Sequence, residues 1–185
     1  MKIKRLIYIS IFITLGIILP MIFHFTGGAN MGSIFLPMHI PVFIGGSLLG
    51  PISGFLIGLI TPIMSSFLTG MPPLLPILPI MIVELSIYGI AIGFLVKKMN
   101  LNIYISLIFS MVLGRIGSGI SVWILVTVFE YARLPNNPFI YIWGAVTMGF
   151  LGILIQLIMV PSVHNYLDNY DTNRIANNRI NEVNN

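Results

Sequence analysis

Long apolar runs, parted by short polar or proline- and glycine-rich breaks, fill the chain from Leu6 to Val163. The first, about 6–23, is near the roughly 20 residues needed to cross hydrocarbon and longer than the roughly 7 to 15 apolar residues of a secretory signal core, so it reads as a span. Gly16 and Pro20 are candidate kink points near its outer end. Residues 24–36 are polar and glycine-rich enough to read as a loop. The next run, about 37–68, is too long for one ordinary span and short for two, and Gly50-Pro51 divides it into two helices somewhat below the usual length. A proline-rich loop precedes a fourth run at 77–96. A fifth follows the polar turn 97–102 and occupies about 103–129, and a sixth occupies about 139–163. The asparagine-rich tail has little to bury and is expected to be solvated and mobile.

Charge decides whether the run 37–68 crosses once or twice. Splitting it places Lys2, Lys4, Arg5, Lys97, Lys98, Arg174 and Arg179 on one side and Arg133 opposite, whereas a single crossing divides the same bases equally. The bias of Lys and Arg toward cytoplasmic loops selects six spans with both termini cytoplasmic. The expected fold is therefore an all-α integral membrane protein with six transmembrane helices, the second and third short. Residues 1–163 form the membrane domain and 164–185 a polar cytoplasmic tail.

Composition agrees: 57% of residues are hydrophobic, 8% are charged and mean hydropathy is +1.00, which leaves no room for a separate soluble domain. The net charge of +4 comes from bases flanking the spans, not from a nucleic-acid face. The chain has no cysteine, so disulfides, thiolate metal sites and cysteine nucleophiles are excluded, and no cluster of ligating residues suggests a metal. Phosphate-loop, His-Glu-x-x-His and Gly-x-Ser-x-Gly motifs are missing. No histidine stands at mid-membrane to activate Ser65 or Ser66 for proteolysis. An enzyme is not expected.

The chemistry concentrates between Phe35 and Glu84. Prolines and glycines at this density break helices, and in hydrocarbon a broken backbone survives only when packed in protein or lining a cavity. Glu84 lies about 10 Å below the outer end of the fourth span at 1.5 Å per residue, with Tyr88 on the same face at i+4. Arg115 lies deeper in the fifth span, with a side chain long enough to reach upward. Ionisable groups at membrane depth face a cavity or one another, so Glu84 and Arg115 are ligand contacts, a structural pair, or both. His39 and Asn30 complete the candidate ligand set. His24 and His164 read as interface residues, and Trp123, Trp143, Tyr131 and Tyr141 as headgroup-level anchors. Ser106, Ser110, Gly114 and Ser118 recur every four residues as a close-packing face, and Ser10 and Thr14 form a second small-residue pair.

Together, the basic start, the six runs, Phe35-Leu-Pro-Met-His-Ile-Pro-Val42, Gly45-Gly46, Gly50-Pro51, the proline-rich loop and Glu84 resemble the substrate-binding S components of energy-coupling factor (ECF) transporters. The likeness runs from Lys4 to about Pro161 and is to the broad class that includes pantothenate-type members. It implies capture of a small water-soluble vitamin or related micronutrient near the outer surface of the bacterial plasma membrane, with pantothenate the first choice. It also implies uptake driven by a separate transmembrane coupling protein and two ATPases that use ATP, with no cofactor bound by this chain. In the family an Ala-x-x-x-Ala pair on the first helix docks the coupling protein; Ser10 and Thr14 occupy the matching positions. The rival readings are a structural or assembly membrane protein without ligand and a self-sufficient secondary transporter.

Overall fold

The computed structural model describes residues 2–27, 29–131, 134–135 and 137–184, and the side chains of residues 2, 24, 26–27, 29–30 and 171–184 lie outside that description. Its elements are α1 (Lys2–Gly27), α2 (Ala29–Phe35), α3 (His39–Leu49), α4 (Pro51–Thr69), α5 (Ile77–Lys97), α6 (Ile103–Thr127), α7 (Pro138–Met148) and α8 (Phe150–Asn184). Among the described residues there is no strand, and six helices are long and apolar enough to cross a membrane. The expected all-α, six-span architecture is what the chain adopts.

The bundle is built around α3. Residues from His39 to Ser47 are all buried, as expected for a helix apolar on every face. Helices α1, α4, α5 and α8 surround it, and Val42, Phe43, Ile57, Leu85, Ile92, Leu107 and Val160 form its fully buried core. A Cβ on Gly54 would fall 2.9 Å from the Gly46 Cα and overlap the backbone of Gly89, while one on Gly58 would overlap the backbone at Leu85. Without side chains at these points the α4 and α5 backbones touch, which fixes the height of α5 and hence of Glu84. Gly50 has φ 88°, in the left-handed region, and turns α3 into α4, with Pro51 opening the new helix.

Arg5 and Lys97 mark one end of the bundle. Arg5 donates through Nε to Ser53 Oγ (2.7 Å) and through Nη2 to the Leu49 carbonyl (3.1 Å). Lys97 Nζ pairs with Asp168 at 3.2 Å. The start of α1, the α3–α4 turn, the end of α5 and the middle of α8 therefore share an end, as the two-crossing reading of 37–68 requires. Arg133 lies outside the described residues. At the far end, Ser65 Oγ donates to the Met71 carbonyl and Ser66 Oγ to that of Pro72, both at 2.7 Å. These serines, weighed above as nucleophiles, pin the proline-rich loop.

Three expectations need correction. The stretch 24–36, read as a loop, is largely helical: α1 continues to Gly27 and α2 follows. The second crossing is thus a composite, Met31–Leu49, interrupted at Leu36, Pro37 and Met38. The sixth run is two helices parted at Gly149, the span-length piece being Phe150–Tyr170. Tertiary packing explains the first and last differences. Gly152 of α8 sits against the Ile34 and Phe35 carbonyls, where a Cβ would come within 2.8 Å, and the Phe23 and Phe35 rings lie 5.1 Å apart. These contacts hold α2 helical despite its glycine. His164, read as an interface residue, is buried, its Nδ1 3.0 Å from Ser47 Oγ.

Candidate ligand site

Glu84, eight residues into α5, is buried at the middle of a polar cluster. Its Oε1 forms an ion pair with Arg115 Nη1 at 2.9 Å and accepts from the Tyr88 hydroxyl at 2.6 Å, and His39 Nε2 stands 3.8 Å away. Helix geometry puts Tyr88 one turn below Glu84 on the same face, and α6 brings Arg115 across. That approach depends on Gly114, where any Cβ would overlap the Tyr88 ring. The Ser106, Ser110, Gly114 and Ser118 ladder is buried throughout, so its role here is close packing of α6. The Tyr88 ring packs against Phe43 and His39, with centroids 4.7 and 5.4 Å apart. A charge in this setting is tolerable because an opposite charge and hydrogen bonds compensate it.

Two cavities flank the cluster. One of about 320 Å³ lies beneath the proline-rich loop, lined by Pro20 of α1, Ser33 of α2, Met71 and Pro72 of the loop and Met81 of α5. The other, about 520 Å³, lies among α6, α7 and α8, and Tyr88, Arg115, His39 and Gln156 provide its polar wall. Both are within or near the range of small-molecule sites. Leu36 and His39 line both and form the partition between them.

Of the predicted ligand residues, the structure brings together Glu84, Tyr88, Arg115 and His39. Glu84 itself lines neither cavity; it holds three side chains that do line the larger one. The Arg115 side chain is 13% exposed. Its charge is paired with Glu84, and the residue also lines the larger cavity; a guanidinium carries five N–H donors, more than one carboxylate oxygen can take. The side chain of Asn30 lies outside the described residues. Ser10 and Thr14 are far from this cluster, on the exposed face of α1, their hydroxyls donating to Leu6 and Ser10 carbonyls at 3.0 and 2.9 Å.

Sequence reading overlooked Gln156. It is buried on α8, lines the larger cavity and donates through Nε2 to the Leu36 carbonyl at 3.4 Å. Leu36 has φ 49°, a left-handed conformation that costs a leucine about 1 to 2 kcal/mol, so the amide supports a strained corner shared by both cavities. The signal was present: a lone polar amide inside an apolar span calls for a partner by the same rule applied to Glu84.

Comparison with curated proteins and with solved structures gives no match. The family model described as "ECF transporter, substrate-specific component" matches residues 4–164, a stretch that takes in most of each of the six crossings and every member of the Glu84 cluster. The chain therefore belongs to the family of substrate-specific components of ECF transporters, and is a multi-pass membrane transport protein and not an enzyme.

Proposed function

We propose that this S component captures a small water-soluble vitamin or related micronutrient bearing a carboxylate, and that the larger cavity receives it. Pantothenate, the first choice from the sequence, is the reference compound. The observation that carries the reading is Arg115. A guanidinium that is paired with a buried carboxylate and also lines a cavity suits a planar anion, because its five donors allow charge-assisted, bidentate hydrogen bonds to a second carboxylate. Tyr88, His39 and Gln156 stand on the same wall to receive polar groups. The basic end is read as cytoplasmic by the positive-inside rule, which puts the proline-rich loop and the shallow side of the cluster at the outer face of the bacterial plasma membrane. Membership of the family brings a transmembrane coupling protein and ATPases that use ATP, so this chain supplies recognition and its partners supply energy.

The test is mass spectrometry of small molecules released from the purified protein. One acidic micronutrient at close to one per chain is the expected result; no bound small molecule in preparations grown with a full vitamin supply contradicts the reading.

The exposed Ser10 and Thr14 face, bordered by Leu6, Ile7 and Ile11, is proposed as the docking surface for the coupling protein. Small residues let helices approach closely, and much of that contact is van der Waals packing. Ser10→Leu with Thr14→Leu is expected to abolish co-purification with the coupling protein while leaving ligand binding intact. Unchanged complex formation would remove these residues from the interface.

A further inference from the structure

The wall of the larger cavity is chemically lopsided. Three of its four polar groups, Tyr88, Arg115 and His39, gather at Glu84, whereas Ile108, Met111, Val112 and Ile116 of α6 and Ile142 and Val146 of α7 make much of the rest apolar. Along its edge, Ile108, Val112 and Ile116 recur every four residues and are each about half exposed, at 52%, 53% and 51%. α6 packs extensively on α5 but touches α8 sparsely, so the cavity is a cleft whose edge lies within a membrane-crossing helix and meets acyl chains instead of water. A ligand hydroxyl turned to that side finds no hydrogen-bond partner, and an unsatisfied buried polar group costs more than a buried methylene gains.

We propose, resting on the assignment of Arg115 to the ligand site, that the substrate is an amphiphilic monocarboxylic acid whose acid group sits at Arg115 and whose remainder is an apolar body filling the cleft between α6 and α8. Within the class of carboxylate-bearing micronutrients, this ranks an acid with a hydrocarbon body above pantothenate, whose hydroxyls and amide would face isoleucine and valine. Charge complementarity selects the head; the stripe on α6 selects the tail.

The experiment titrates the full-length protein, in nanodiscs of zwitterionic lipid, with hexanoate, heptanoate, octanoate, octan-1-ol and pantothenate, each corrected with empty nanodiscs. Affinity is expected to rise about fourfold per added methylene, the equivalent of about 0.8 kcal/mol for each buried CH₂. Octan-1-ol should bind at least about tenfold more weakly than octanoate, the scale of one charge-assisted hydrogen bond. Because the series uses the unmodified protein, it does not depend on the folding of a variant. Tighter binding of pantothenate than of octanoate, or no dependence on chain length, overturns the apolar-body inference and leaves the Arg115 site standing. Equal binding of octanoate and octan-1-ol, or no binding of any carboxylate, overturns the Arg115 reading as well. Loss of octanoate binding in nanodiscs containing phosphatidylglycerol gives the cleft to a bilayer lipid and also overturns the proposal.

Discussion

Replacing Arg115 with glutamine is expected to destabilise the protein by about 3 to 5 kcal/mol, because it leaves the buried Glu84 carboxylate without its opposite charge. In a chain of this size, that corresponds to a fall in melting temperature on the order of 10 °C. Glu84 retains the Tyr88 hydroxyl at 2.6 Å, but one hydrogen bond from a neutral donor does not replace an ion pair at 2.9 Å for a carboxylate this deeply buried. Glu84→Gln has the converse effect, stranding the guanidinium. Replacing both with leucine removes the two desolvation costs together and should largely restore the melting temperature. Singles that melt like the parent protein would show that water already compensates both charges, contrary to their burial. Thermal unfolding monitored in the same detergent for all four proteins makes the comparison.

The second large effect is expected at Gly89, where the α4 and α5 backbones meet. A Cβ there would fall 2.9 Å from the Gly54 Cα and overlap the Gly54 carbonyl. Overpacking against side chains costs about 1 to 3 kcal/mol, and here the obstacle is backbone, which cannot rotate away. Gly89→Val must push α5 off α4 and carry Glu84 and Tyr88 with it, so both melting temperature and ligand binding should fall. Gly144 of α7 is the control: nothing lies within 4 Å of a Cβ placed there, and Gly144→Ala should be neutral or slightly stabilising. Equal melting temperatures for the two variants would contradict the close α4–α5 contact.

The parts of this architecture legible in the sequence are those fixed by hydrocarbon. Apolar length gave the six crossings, lysine and arginine placement gave the division at Gly50-Pro51, and counting 1.5 Å rises brought Glu84 and Arg115 within reach of each other. Local propensity misled where tertiary contact overrides it. The glycine and polar residues of α2 signal a loop, yet Gly152 of a helix more than a hundred residues away lets that segment pack as a helix. The break at Gly149 has the same origin, since a Cβ there would press within 2.7 Å of Leu36. Gln156, Val160 and His164 form one face at fourfold spacing and are all buried. That periodicity was available, but ending the sixth run at Val163 hid it and made His164 look like an interface residue. The cavities were out of reach for a different reason: their walls come from five or more elements, and no single segment encodes them.

The central claim is that Glu84 holds Arg115 at the cavity wall and that Arg115 holds the ligand. The most direct test is the amount of small molecule released from the folded Glu84→Leu, Arg115→Leu double variant, measured by mass spectrometry beside the parent protein. The account predicts a parent carrying close to one acidic ligand per chain and a stable double variant carrying essentially none. A stable double variant that retains the same ligand in the same amount would contradict it and reduce the two residues to an internal ion pair.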